Sequence, residues 1–221
     1  MKAPLNMTSF SIANNDLPTL GWAGFCLSIV LLAGCSALPE KPVRPAVYDF
    51  GPGLVVKPAP AENLPALLLA DIDAPAAVDG TAVLFRLAYA DVQQLRPYAQ
   101  ARWSMPPAQL VRQRLREQLG QQRVVLNPAE GPAAFILRLE LEEFTQVFEA
   151  PDRSVGLVRL RATLLESTGG RERLVAQRRF TVERPAPSPD AAGGVRALTA
   201  ATDAAVDEIA QWLKPLTPGP R

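Results

Sequence analysis

The chain has 221 residues, with 23 Lys and Arg against 22 Asp and Glu, a formal net charge of +1 and no histidine. A balance this close to neutral gives no electrostatic case for nucleic acid or for long-range steering to an anionic surface. The lack of histidine excludes a Ser-His-Asp or Cys-His catalytic unit and a His-ligated zinc site.

The first predicted element is an apolar run, Leu20 to Ala33 (LGWAGFCLSIVLLA). It has the length of a signal-peptide core and falls short of the roughly 20 apolar residues of a membrane span. The n-region before it is long and carries only Lys2 with Asp16 against it, which leaves Met7 as an alternative start. Leu32-Ala33-Gly34-Cys35 follows at once and resembles a bacterial lipobox. Its small residues fit a peptidase cleft, and a thiolate is the nucleophile that acylation requires. The expectation is a signal peptide at 1–34, cleavage after Gly34 and lipidation of Cys35. With Cys26 removed and Cys35 acylated, the mature domain has no thiol for a disulfide. By resemblance to enterobacterial lipoproteins, Ser36 at the next position favours the outer membrane. Residues 35–65 contain Pro39, Pro42, Pro45, Pro52, Pro58, Pro60 and Pro65 and read as an extended tether. Within it, Val47–Phe50 reads equally well as an edge strand of the domain.

The folded region is expected over 66–214. Ala66–Ile72 (ALLLADI) reads as a buried strand, Ala82–Tyr89 as a second, and Arg96–Trp103 as a third, with Asp91–Gln94 as the turn of a hairpin. After Pro106-Pro107 the period changes to 3.6, with Leu110, Val111, Leu115 and Leu119 on one stripe. Val124–Leu126 is a short strand. Three alternating segments follow, at Phe135–Leu141, Val155–Leu165 and Arg173–Glu183. In the last of these, Leu174, Ala176, Phe180 and Val182 are expected inward. A final helix over Val195–Leu213 carries Val195, Leu198, Thr202, Ala205, Ile209 and Trp212 or Leu213 on one stripe. The fold class this implies is α+β: a two-layer domain with two main helices on one face of a largely antiparallel sheet, then a flexible tail at 215–221.

Few residues invite a chemical role. Glu140 and Glu142 are spaced as paired carboxylates, but Arg159, Arg161, Arg178 and Arg179 on neighbouring strands make an ordinary cross-strand charge ladder the better reading. Arg112, Arg114 and Arg116 read as a solvated helix face in preference to a phosphate site. Phe144 and Phe148 lie where strict alternation breaks and are the candidate partner-contact residues, although capping the core at the sheet end is the better reading. Gly131, Gly169 and Gly170 read as turn glycines without a phosphate-cradle pattern. No catalytic residue, metal site or cofactor is assigned.

The order of these features resembles a family. The lipobox, the Tyr48-Asp49-Phe50-Gly51-Pro52 segment, the Tyr98-to-Trp103 strand end, the helix opening at Pro106-Pro107, then LRLELEEFTQVFE, VRLRATLL and a closing helix near Trp212 are similar to the ABC-type transport auxiliary lipoproteins. These are partners of MCE-type lipid transport systems, including the PqiC-like system. The resemblance runs from about Tyr48 to Leu213. It implies a non-enzymatic component, lipid-anchored in the outer membrane and facing the periplasm. Such a component docks with an MCE-domain protein and its ABC permease and ATPase and helps move phospholipid or organic solvent between membranes. It implies no nucleic-acid partner and leaves a homo-oligomer open. Two other classes fit less well: an assembly lipoprotein for lipopolysaccharide or another envelope complex, and an envelope hydrolase using Glu140 or Glu142.

Overall fold

The computed structural model describes residues 44–53 and 64–218. The expected signal peptide, Leu32, Ala33, Gly34, Cys35 and Ser36 lie outside the described residues. In chain order the elements are β1 (Ala46–Tyr48), β2 (Leu67–Asp73), β3 (Ala82–Leu87), β4 (Asp91–Trp103), α1 (Pro107–Gly120), β5 (Val125–Leu126), β6 (Phe135–Ala150), β7 (Arg153–Thr168), β8 (Arg171–Pro185) and α2 (Ala191–Leu213).

The organising element is β6. Its 16 residues pair along one edge with β7, which pairs in turn with β8. Along the other edge two short strands lie end to end: β2 against Phe135–Glu140 and β3 against Gln146–Phe148. β4 continues outward from β3, β1 from the far end of β4, and β5 from β2. Both helices pack on one face of this sheet and against each other, over Leu137, Leu139, Leu141, Leu160 and Leu164 of the strands and Leu115, Leu198 and Ile209 of the helices. Each of these side chains is buried, and burial of a Leu or Ile contributes about 1.5–3 kcal/mol.

The sheet is mixed, which corrects the largely antiparallel expectation. Four of the seven strand pairings are parallel: β1 with β4, β2 with β5, β2 with β6 and β3 with β6. The reason lies in the connections. β2 and β3 are consecutive but do not pair; the chain advances along the edge of β6 between them. β4 runs back antiparallel to β3, and the chain passes through α1 to β5 and β6, which again run in the sense of β2 and β3. The antiparallel prediction holds for the β6-β7-β8 meander and for β3 with β4. The β7–β8 turn uses Gly169 and Gly170 at φ 57° and 80°, the left-handed conformation that a tight hairpin requires.

Three boundaries also move. β4 begins at Asp91, so the residues expected as a turn are strand, and the turn lies at Ala88–Ala90. β1 falls inside the expected tether and is hydrogen-bonded to the sheet, which settles the open reading of Val47–Phe50 in favour of an edge strand for its first two residues. The start of the expected tail forms a 3-10 turn at Lys214–Leu216, and the buried Thr217 hydroxyl accepts from Arg123 Nη1 at 2.7 Å, while residues 219–221 lie outside the described residues.

Helix α2 starts at Asp190, whose carboxylate accepts from Gly193 N–H at 2.6 Å. This charge-assisted cap, joined by the Ser188 hydroxyl, holds the Asp190 carboxyl below the usual carboxylate range. The helix approaches β7 closely at Gly156, where a Cβ would stand 2.6 Å from the backbone of Ala197 and Leu198. Only glycine fits there. At the other end of the β7–β8 pair, the register shifts between Leu164 and Leu165 and adds Val175 to β8. The bulge turns Val175 toward the core and leaves Leu174 58% exposed, against the inward placement expected for Leu174.

Candidate functional site

The most built feature outside the ordinary core is the seat of the lead-in segment that follows β1. β1 pairs in parallel with Ala101–Trp103 of β4, and Ser104 N–H donates to Tyr48 O at 2.7 Å. The chain then turns at Asp49–Gly51, where the Asp49 carboxylate accepts from Gly51 N–H at 2.8 Å and Gly51 takes φ 64°. This turn drops Phe50 onto Trp103 and Phe144, at ring-centroid distances of 5.7 and 6.2 Å.

Arg114 of α1 fastens the segment. Its Nη2 donates to Phe50 O at 2.7 Å and to Gly51 O at 3.3 Å, its Nε faces Asp203 Oδ1 of α2 at 3.3 Å, and its guanidinium stands over the Phe50 ring at 5.9 Å. The Arg114 side chain is 9% exposed, so this one cation joins the lead-in segment to both helices in a low-dielectric setting. Burial pushes the Asp203 carboxyl above its usual range; Arg114 opposes that, while Asp207 and Glu117 add to it. Two clefts flank the segment. One of about 100 Å³ lies against α1 between Gly51, Met105 and Gln113. The other, an open groove of about 440 Å³, runs between β1 and α2 past Val47, Tyr48, Val195 and Thr199.

The neighbouring arginines of α1 are also engaged, which corrects the solvated-face reading for Arg112 and Arg114. Arg112 donates to Leu69 O, Ala70 O and Asn127 Oδ1 at 3.2, 3.3 and 2.9 Å and faces Asp71 at 3.3 Å. Arg116 donates to the same Asn127 oxygen at 2.6 Å. Their donors are spent on the fold, so a phosphate would have to displace these contacts.

Glu140 and Glu142 form part of the expected ladder on the open face of the sheet. Arg161 pairs with Glu140 at 3.3 Å and with Glu142, and Arg179 Nε reaches Glu142 at 2.8 Å. The hydrogen bond from Arg179, with that from Arg161, holds the Glu142 carboxyl below its usual range. A general acid needs the opposite shift.

Phe144 and Phe148 are 1% and 6% exposed, which corrects the expectation of exposed partner-contact groups. A register shift between Leu141 and Glu143 swings Phe144 onto the core face against Trp103 at 5.5 Å, and Phe148 closes on Phe85 at 6.0 Å. They cap the core at the sheet end. Beside them is a buried polar chain: Tyr98 Oη donates to Gln146 Oε1 at 2.8 Å, and Gln146 Nε2 donates to Ser154 Oγ at 2.8 Å. Burial, with Asp190 nearby, raises the Tyr98 hydroxyl to about 12, so it stays a neutral donor.

Sequence reasoning missed Asp203, Gln146 and Ser154, and misread Arg114. The available signal was Arg114 itself, a charged residue set among Leu110, Val111 and Leu115 on the apolar stripe. Among the described residues no group of His, Cys, Asp and Glu is arranged to hold a metal ion, and no helix is long and apolar enough to cross a membrane.

Comparison with known proteins gives a family match and two informative folds. The sequence profile of the family described as ABC-type transport auxiliary lipoprotein component matches residues 48–210. No curated protein matches the chain. A crystal structure of a Xanthomonas campestris protein is similar at TM-score 0.65 and 22% identity, covering 77% of this chain and 96% of that one. A second, uncharacterised protein of known structure is similar at TM-score 0.57 and 15% identity, over 77% and 99%. At these identities the two structures bear on the fold alone.

Proposed function

Because this chain belongs to the ABC-type transport auxiliary lipoprotein components, we propose that it is the outer-membrane-anchored, periplasm-facing lipoprotein of an MCE-type transport system. In this reading it binds the MCE-domain protein and the associated ABC permease and ATPase, and so assists movement of phospholipid or organic solvent between membranes. ATP hydrolysis belongs to the other subunits, and the lipoprotein acts by binding alone.

The observation that carries the reading is the family match over nearly the whole folded region, from Tyr48 to Ala210. The lipobox at Leu32–Cys35 adds the anchor, and Ser36 favours the outer membrane. Two or three acyl chains on Cys35 make a stable anchor where one is marginal. Ala46 of β1 lies only 11 positions after Cys35, a maximum reach of about 36–40 Å. The first strand therefore works on a short leash, and Arg114 transmits any pull on it to both helices.

Co-purification tests the proposal. A tagged chain extracted in mild detergent should recover an MCE-domain protein and phospholipid; recovery of an unrelated envelope complex in their place would contradict it.

A further inference from the structure

With Cys35 acylated, one corner of the domain is held close to the anchor by covalent length, and it combines an exposed apolar side chain with two unmatched arginines. Val47, in the middle of β1, is 67% exposed despite lying within a hydrogen-bonded strand. Its register partner on β4 is Arg102, also exposed, and Arg44 precedes β1 by two residues and is exposed as well. Four arginines of the open sheet face are matched, Arg138 to Glu172, Arg161 to Glu142, Arg173 to Glu166 and Arg179 to Glu142, while Arg159 has no carboxylate partner among the described residues. Arg44 and Arg102 meet no carboxylate among the described residues. Val47 also borders the open groove against Val195 and Thr199 of α2.

We propose that this corner, formed by Arg44, Val47 and Arg102, rests on the phospholipid surface that holds the anchor. The inference rests on acylation of Cys35, and the occupant follows from where the chain ends. Arg44 lies nine residues from Cys35, so it stays within about 30–32 Å of the lipid-bearing residue, closer along the chain than any other described residue. At that range a headgroup phosphate is the nearest available anion, and unmatched guanidinium groups bind phosphate through paired N–H donors. The net charge of +1 supplies no long-range attraction, so the contact depends on the anchor holding the corner in place. Each arginine is expected to shift the contact equilibrium about fivefold on an anionic surface, an effect that salt screens.

The test uses the acylated full chain in vesicles of phosphatidylethanolamine and phosphatidylglycerol that carry a headgroup-level quencher. With Cys26 removed and Cys35 acylated, Val47→Cys supplies the one free thiol for a fluorophore. Leu174→Cys is the reference, since Leu174 is 58% exposed on β8 at the opposite edge of the sheet. Quenching several-fold stronger at position 47 than at 174, falling when Arg44 and Arg102 are both changed to Gln, supports the proposal. Equal quenching at the two positions in protein that floats with the vesicles overturns it, as does quenching at 47 that is indifferent to both arginines. A label at 47 that is silent to the lipid quencher yet shielded from an aqueous one in membrane extracts assigns the corner to a protein and overturns it too. Failure of the chain to float at all strikes at acylation itself, a separate result.

Discussion

Arg114 Nη2 donates to the carbonyl oxygen of Phe50 at 2.7 Å, across 64 positions of sequence, while the same guanidinium faces Asp203 at 3.3 Å. The lead-in segment that follows β1 is thereby tied to both helices through one buried cation. Replacing Arg114 by Ala strands the two carbonyls and Asp203 together. The expected cost is about 2–3 kcal/mol in urea unfolding, with new proteolytic cleavage confined to residues near 44–53. Unchanged stability would show that solvent takes over these contacts without loss.

Asp203 and Asp190 give opposite pH dependences. The Asp203 carboxyl is raised above its ordinary 3.8 by burial, so the folded state binds a proton that the unfolded state has already lost. Its contribution to stability therefore grows as pH falls through the raised folded value toward 3.8. Asp190 is lowered by the Gly193 N–H bond, so its contribution is complete above 3.8 and is lost as pH falls through the lower folded value. Asp203→Asn should raise the melting temperature at neutral pH and flatten the acid-side gain, whereas Asp190→Ala should lower it at neutral pH and matter less in acid. Melting curves from pH 3 to pH 7 check both signs.

Gly156→Ala should cost about 1–3 kcal/mol, because the new methyl meets the backbone of Ala197 and Leu198 at 2.6 Å and neither strand nor helix can withdraw cheaply. Denaturant unfolding measures it. A neutral result would mean that α2 slides on β7 more freely than the packing implies.

Much of this architecture was legible because it follows local rules. The β6-β7-β8 meander declared itself through alternation, and the helices through the Leu110–Leu119 stripe and the run from Val195 to Leu213. Strand direction was not legible, because β2 and β3 are short apolar runs whose parallel pairing with the distant β6 leaves no mark on their own residues. Polar Asp91-Val92-Gln93-Gln94 resembled a turn because this end of β4 is an exposed edge. Leu174 was misplaced by a single-residue bulge at Val175, beyond which Phe180 and Val182 face the core as the alternation predicts. At the lead-in site, Arg114 was visible as a charge on an apolar stripe, but its partners Phe50 and Asp203 lie 64 residues before it and 89 after it. No spacing rule connects them.

The carboxylate pair on the open face offers a check on function. Glu140→Gln with Glu142→Gln breaks the contacts to Arg161 and Arg179, at a stability cost of about 1 kcal/mol. The envelope phenotype, scored as sensitivity to detergent or organic solvent, should be unchanged. Loss of function in a folded double variant would revive the hydrolase reading.

In the proposed function Cys35 carries the whole attachment to the membrane. Cys35→Ser should leave the circular dichroism and melting temperature of the domain unchanged, while the chain moves from the membrane pellet to the soluble periplasm and fails to complement a deletion strain. Full complementation by Cys35→Ser at ordinary expression, with no fatty acid incorporated, would contradict it.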